Sequence, residues 1–90
     1  MEQALFVWAS GRVQCGDDTP PGAIEVARGS LACLYSALME TAQINPVTHY
    51  WEVPEVAALQ ENPRAAVDAL IDWRARFMVE LESVEARHVA

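Results

Sequence analysis

The sequence predicts an α+β domain: a small, mostly antiparallel sheet, built from a hairpin and one or two further strands, backed by two helices. Three observations lead there. The chain opens on a nearly continuous apolar run, ALFVWAS (Ala4 to Ser10), rich in aromatic and β-branched residues. A period-two alternation runs from Val47 to Val53. Two segments, after Ser30 and after Asn62, repeat apolar residues at spacings of three and four, and the second is long.

The opening run is too short for a helix and reads as a strand covered on both faces. Ser10-Gly11 is a turn signal, and Arg12 to Cys15 alternates polar with apolar, so the two runs form a hairpin. Asp17-Asp18-Thr19-Pro20-Pro21-Gly22 follows as a loop, because its prolines deny backbone donors and Gly22 tolerates positive φ. Ala23 to Ala27 then makes a short strand, with Ile24 and Val26 expected to face inward. Ser30 is positioned to cap a helix from Leu31 to Gln43, whose apolar stripe is Leu31, Leu34, Tyr35, Leu38 and Ala42. Asn45-Pro46 ends it.

The stretch THYWEVPE (Thr48 to Glu55) gathers a histidine, a tyrosine, a tryptophan and two glutamates. Strand alternation would divide them, with Val47, His49, Trp51 and Val53 on one face and Thr48, Tyr50 and Glu52 on the other. Glu52 then cannot orient His49 as a general base, and His49 reads as a core residue. Pro54 closes the strand, and EVAALQ adds at most a helical turn. Asn62-Pro63 is a cap followed by proline at the first helical position. It starts a helix running to about His88, striped by Leu70, Trp73, Phe77, Leu81 and Val84 and widened by Val67, Ile71 and Met78.

Ninety residues support one domain, residues 1–90, without an interior linker or repeat. The net charge is −7, from 13 acidic and six basic side chains, and every base is arginine. No basic stripe exists for phosphates or for an anionic membrane surface, so direct nucleic-acid and membrane binding are not expected. No long apolar run or basic leader is present, which predicts a cytoplasmic protein. Cys15 and Cys33 read as reduced thiols, with one disulfide between them as the alternative.

Catalytic, metal and cofactor signals are lacking. Cys15, Cys33, His49 and His88 are scattered without ligand spacing, and no phosphate-cradling or nucleophile motif occurs. Asp68 and Asp72, flanked by Arg64 and Arg76, read as a salt-bridged solvent face, with Asp72 and Arg76 pairing at i, i+4. The protein is therefore expected to be no enzyme and to need no cofactor.

A helix of this length exceeds what a spherical domain of this size would cover. Either its last turns fray, which Glu80, Glu82 and Glu85 near the C-terminus favour, or Phe77, Leu81 and Val84 form a protein interface with Trp73 at its border. The interface is the expectation, with Tyr50 on the outer strand face either joining it or covered by a helix. A homodimer through the C-terminal helix follows, and Phe77→Ala would then weaken association without unfolding the monomer. A second possibility is a row of carboxylates (Glu2, Asp17, Asp18, Glu40, Glu52, Glu55, Glu61) imitating nucleic acid.

Phe6-Val7-Trp8-Ala9-Ser10-Gly11, Pro21-Gly22-Ala23-Ile24, Ala27-Arg28-Gly29, Val53-Pro54-Glu55 and Ala66-Val67-Asp68-Ala69-Leu70-Ile71-Asp72-Trp73 carry a resemblance. Together these pieces resemble small accessory proteins from the early regions of transposable, Mu-like bacteriophages and prophages, often labelled host nuclease inhibitors. The sequence departs from that pattern at Gln43 to Tyr50, where a basic segment is usual, and extends beyond it at the C-terminus. The resemblance implies a phage-encoded, non-catalytic module that binds a host protein (a nuclease, a defence complex or another host machine) and inhibits or modulates it. A self-assembling structural or assembly protein is the other class that the helix end suggests.

Overall fold

The computed structural model describes residues 2–89. In chain order these form β1 (Glu2–Val7), β2 (Val13–Gly16), β3 (Ile24–Ser30), α1 (Leu31–Thr41), β4 (Gln43–Ile44), β5 (Trp51–Glu52), α2 (Pro54–Ala57) and α3 (Pro63–Val89). The architecture is α+β. An antiparallel three-stranded sheet, ordered β2-β1-β3, packs with α1 and α3, and β4-β5 forms a separate two-stranded ribbon.

The apolar run at the start becomes the central strand because it alone can be buried on both faces. Leu5 and Val7 join the main core with the helices, whereas Ala4 and Phe6 are buried outside that cluster. Phe6 meets Trp8 edge-on, with ring centroids 5.3 Å apart. The Asp17–Gly22 loop is tied back to the sheet by polar bonds. Gln3 donates to Asp17 at 2.7 Å, and the Thr19 hydroxyl donates to Glu25 at 3.1 Å. Arg28 also donates to Glu25 at 3.0 Å, which holds that carboxyl below its ordinary range.

β3 departs from the expected alternation. Leu5 pairs with Ala27 but Phe6 pairs with Glu25, so Val26 is an extra residue in a β-bulge. The bulge lets Val26 enter the core while Ile24, opposite Val7, stays 56% exposed at the end of the sheet. The strand also runs further than expected, up to the helix cap. Ser30 accepts from the backbone N–H of Cys33 at 3.3 Å, so Ser30→Ala is expected to lower stability by about 1 kcal/mol in thermal unfolding.

α1 buries Cys33, Leu34, Ala37, Leu38 and Thr41, while Leu31 and Tyr35 lie at the surface. The buried stripe is therefore rotated from the one the spacing predicted. Small residues decide this: Cys33 and Ala37 permit close approach where leucine and tyrosine would not. The helix ends at Thr41, whose hydroxyl donates back to the Ala37 carbonyl at 2.9 Å.

The strand expected from Val47 to Val53 is mostly a turn. Asn45 Oδ1 accepts from the N–H groups of Val47 and Thr48, and the Asn45 carbonyl accepts from His49. His49 is exposed with φ +64°, so it is not the core residue that alternation implied. A side-chain-capped turn satisfies the backbone locally, and this overrides a two-residue repeat that had no partner strand. Only Trp51 and Glu52 pair, with Gln43 and Ile44.

α3 is 27 residues long, about 40 Å at 1.5 Å per residue, and the molecule measures 43 × 23 × 23 Å. The domain is thus elongated about this helix. Its N-terminus is capped by Asn62, which accepts from Ala65 at 3.3 Å, and its last turn carries Arg87 and His88, favourable for the helix dipole. No helix is long and apolar enough to cross a membrane among the described residues.

Candidate functional site

The interface expected at the C-terminal helix is taken up by the protein's own core. Trp73, Phe77, Leu81 and Val84 are all buried within one cluster that also contains Leu5, Leu34, Leu38, Val53 and Val56. A spherical body could not cover so long a helix, but this one stretches along α3, with α1 packed against it. These four side chains therefore offer no free surface. Tyr50 remains 52% exposed, but its ring is occupied: the Arg12 guanidinium lies 3.9 Å from the Tyr50 centroid and 4.9 Å from that of Trp8. This cation–π stack, with an isolated antiparallel backbone β-bridge between Arg12 and Glu52 and a bond from the Val53 N–H to the Gly11 carbonyl at 2.8 Å, holds the β4-β5 ribbon to the first hairpin.

The polar residues of interest are spread out. Cys15 and Cys33 are both free thiols, and burial pushes the Cys15 thiol up to about 11, away from reactive thiolate. Among the described residues no three His, Cys, Asp or Glu side chains gather as a metal site. Asp72 does not pair with Arg76; Arg76 instead donates to Glu55 at 2.9 Å, tying α3 to α2. The carboxylates considered for a phosphate-like row sit on different elements, and some are already engaged, Asp17 by Gln3, Glu52 by Asn45 and Glu55 by Arg76.

What the fold leaves open is an apolar groove of about 380 Å3 between the bulged strand β3 and the first half of α3. Ile24 and Val26 on β3 and Val67, Leu70 and Ile71 on α3 line it, together with Gln60. Val26 is buried, whereas Ile24, Val67 and Ile71 are more than half exposed, at 56%, 53% and 61%. Among the described residues Arg74 is the one charged side chain that lines it. Trp73 also contributes to the lining, and its indole N–H is buried without a hydrogen-bond partner.

Comparison with family models, with curated proteins and with solved structures found no match. The chemistry of the groove therefore has to be read from its own residues. Large side chains exposed side by side keep about 25 cal/mol per Å2 of apolar surface in water, which covering them would recover. Among the described residues the lining is apolar apart from Gln60 and Arg74, a composition suited to holding an apolar body.

Sequence reasoning passed over this surface for a specific reason. Val67 and Ile71 stand at i, i+4 beside the Leu70-Trp73-Phe77 stripe, and periodicity alone merges them into one wide apolar face. Only the tertiary packing shows that the core uses the inner edge of that face and leaves its outer edge in water. Ile24 was obscured by the bulge, which no alternation pattern announces.

Proposed function

We propose that the protein is a non-catalytic binding module that acts by docking an apolar part of another protein into the groove between β3 and α3. The exposed trio Ile24, Val67 and Ile71, converging on one concave surface, is the observation that carries this reading. The resemblance to early-region accessory proteins of transposable phages suggests the partner: a host nuclease, defence complex or other machine, bound in the host cytoplasm and inhibited by steric contact.

The test is affinity capture from bacterial lysate with the wild-type chain and with Ile71→Asp, washed at high salt. The wild type is expected to retain one stoichiometric partner and the variant to lose it. Because Ile71 is 61% exposed, the variant should melt with a stability change within about 0.5 kcal/mol of wild type. Equal capture by both proteins would remove the groove from the function.

Self-association is the second reading. Val67, Ile71 and Val79 lie exposed along α3, and in an antiparallel helix pair Arg64 of one copy falls beside Glu82 of the other. Light scattering that shows a dimer sensitive to Val79→Asp would favour it.

A further inference from the structure

We propose that the groove recognises a short helical segment that presents apolar side chains together with a carboxylate, the apolar groups lodging between Ile24 and Ile71 and the carboxylate meeting Arg74. This rests on the groove being the protein's binding surface and adds the chemistry of its partner.

The charge argument is local. Arg28 is spent on Glu25, Arg76 on Glu55, and Arg12 is stacked between Trp8 and Tyr50. Arg74 has no carboxylate within 4.0 Å among the described residues, yet it lines an otherwise uncharged apolar groove. An arginine there makes a strong, directional pair with an incoming carboxylate, because covering the groove lowers the surrounding dielectric. The net charge of −7 argues the other way and would draw a basic partner. The two effects differ in range: the field of the whole chain is screened beyond ~8 Å at physiological salt, and a contact pair is not. At that salt the local arginine decides.

The backbone of β3 sets the form of the segment. β3 is a sheet edge and could in principle accept an added strand, but the bulge at Val26 breaks its regular row of donors and acceptors next to the groove. Recognition then falls to side chains, as when an amphipathic helix lays its apolar face into a groove. The volume of about 380 Å3 is at the small end for binding pockets, roughly 300–1,000 Å3, and suits the few side chains of one short helical segment.

The experiment uses three fluorescein-labelled helical peptides with leucines at i, i+3, i+4 and i+7 and glutamate, glutamine or lysine beside them. Binding to the full-length protein is followed by fluorescence polarisation at ~150 mM salt. The glutamate peptide is expected to bind about tenfold more tightly than the lysine peptide, Arg74→Glu to reverse that order, and Ile71→Asp to abolish binding of all three. Equal binding of the three peptides, or an order unchanged by Arg74→Glu, overturns the acidic preference while leaving the groove as a binding surface. Failure of every peptide, alongside partner capture that still depends on Ile71, overturns helical side-chain recognition. Capture indifferent to Ile71→Asp removes the groove reading itself. Decanoate competing as well as the glutamate peptide would make the groove a site for small amphiphiles, and a dimer dissociated by Ile71→Asp would assign it to a second copy; either result overturns the proposal.

Discussion

Phe77→Ala is expected to destabilise the fold strongly rather than to dissociate a complex. Phe77 is fully buried, and its ring lies 5.4 Å from that of Trp73 at the centre of the core. Truncating a buried phenylalanine costs about 3–5 kcal/mol, from lost burial and the cavity left behind. A domain of this size has only about 5–15 kcal/mol in total, so the loss should appear as a large drop in urea midpoint and melting temperature. Phe77→Leu, which keeps most of the volume, should cost clearly less. Near-wild-type unfolding of Phe77→Ala would mean that this side chain is not in the core.

Gly11→Ala is the second large effect, and it acts through backbone geometry. Gly11 sits in the first hairpin turn with φ +94°, a conformation that side chains other than glycine rarely adopt. A Cβ there would come within 3.0 Å of the Ala57 backbone N and 3.1 Å of the Val53 carbonyl. Those atoms belong to the N-cap (Val53) and the last residue (Ala57) of the single-turn α2, held by the Val53–Gly11 hydrogen bond, so neither side can move away freely. The expected loss is about 2–4 kcal/mol, combining backbone strain with overpacking. Gly22→Ala separates the two causes: Gly22 has φ +87° but nothing within 4 Å of a new Cβ, so strain of about 1–2 kcal/mol should be its whole effect. Equal losses at the two positions, measured by chemical denaturation, would show that the contact with α2 contributes nothing.

The candidate site was legible only in part. Val67 and Ile71 were visible as apolar residues on the last helix, but their exposure depends on how far the core turns into that helix. Arg74 carries no local signal in the sequence, and only the folded groove brings apolar walls to it. Tyr50 was expected on the outer face of a strand that does not form there, and its stack on Arg12 joins residues distant in the chain, a contact no local pattern reports. The interface proposed from Phe77, Leu81 and Val84 failed because helix length was judged against a sphere, and the body is elongated.

Local signals alone determined the opening buried strand, the hairpin at Ser10-Gly11, the Ser30 and Asn62 helix caps, the long final helix and the α+β class. Each arises from a few neighbouring residues: apolar periodicity, a side-chain oxygen at a helix start, a glycine where φ is positive. Tertiary structure decided the rest. The bulge at Val26, the rotation of α1 onto Cys33 and Ala37, the turn that exposes His49 and the division of α3 between core and groove all follow from competition for burial among segments far apart in sequence. A sequence pattern marks which side chains gain from leaving water. Which of them actually leave it depends on how much partner surface the folded chain can bring to each face.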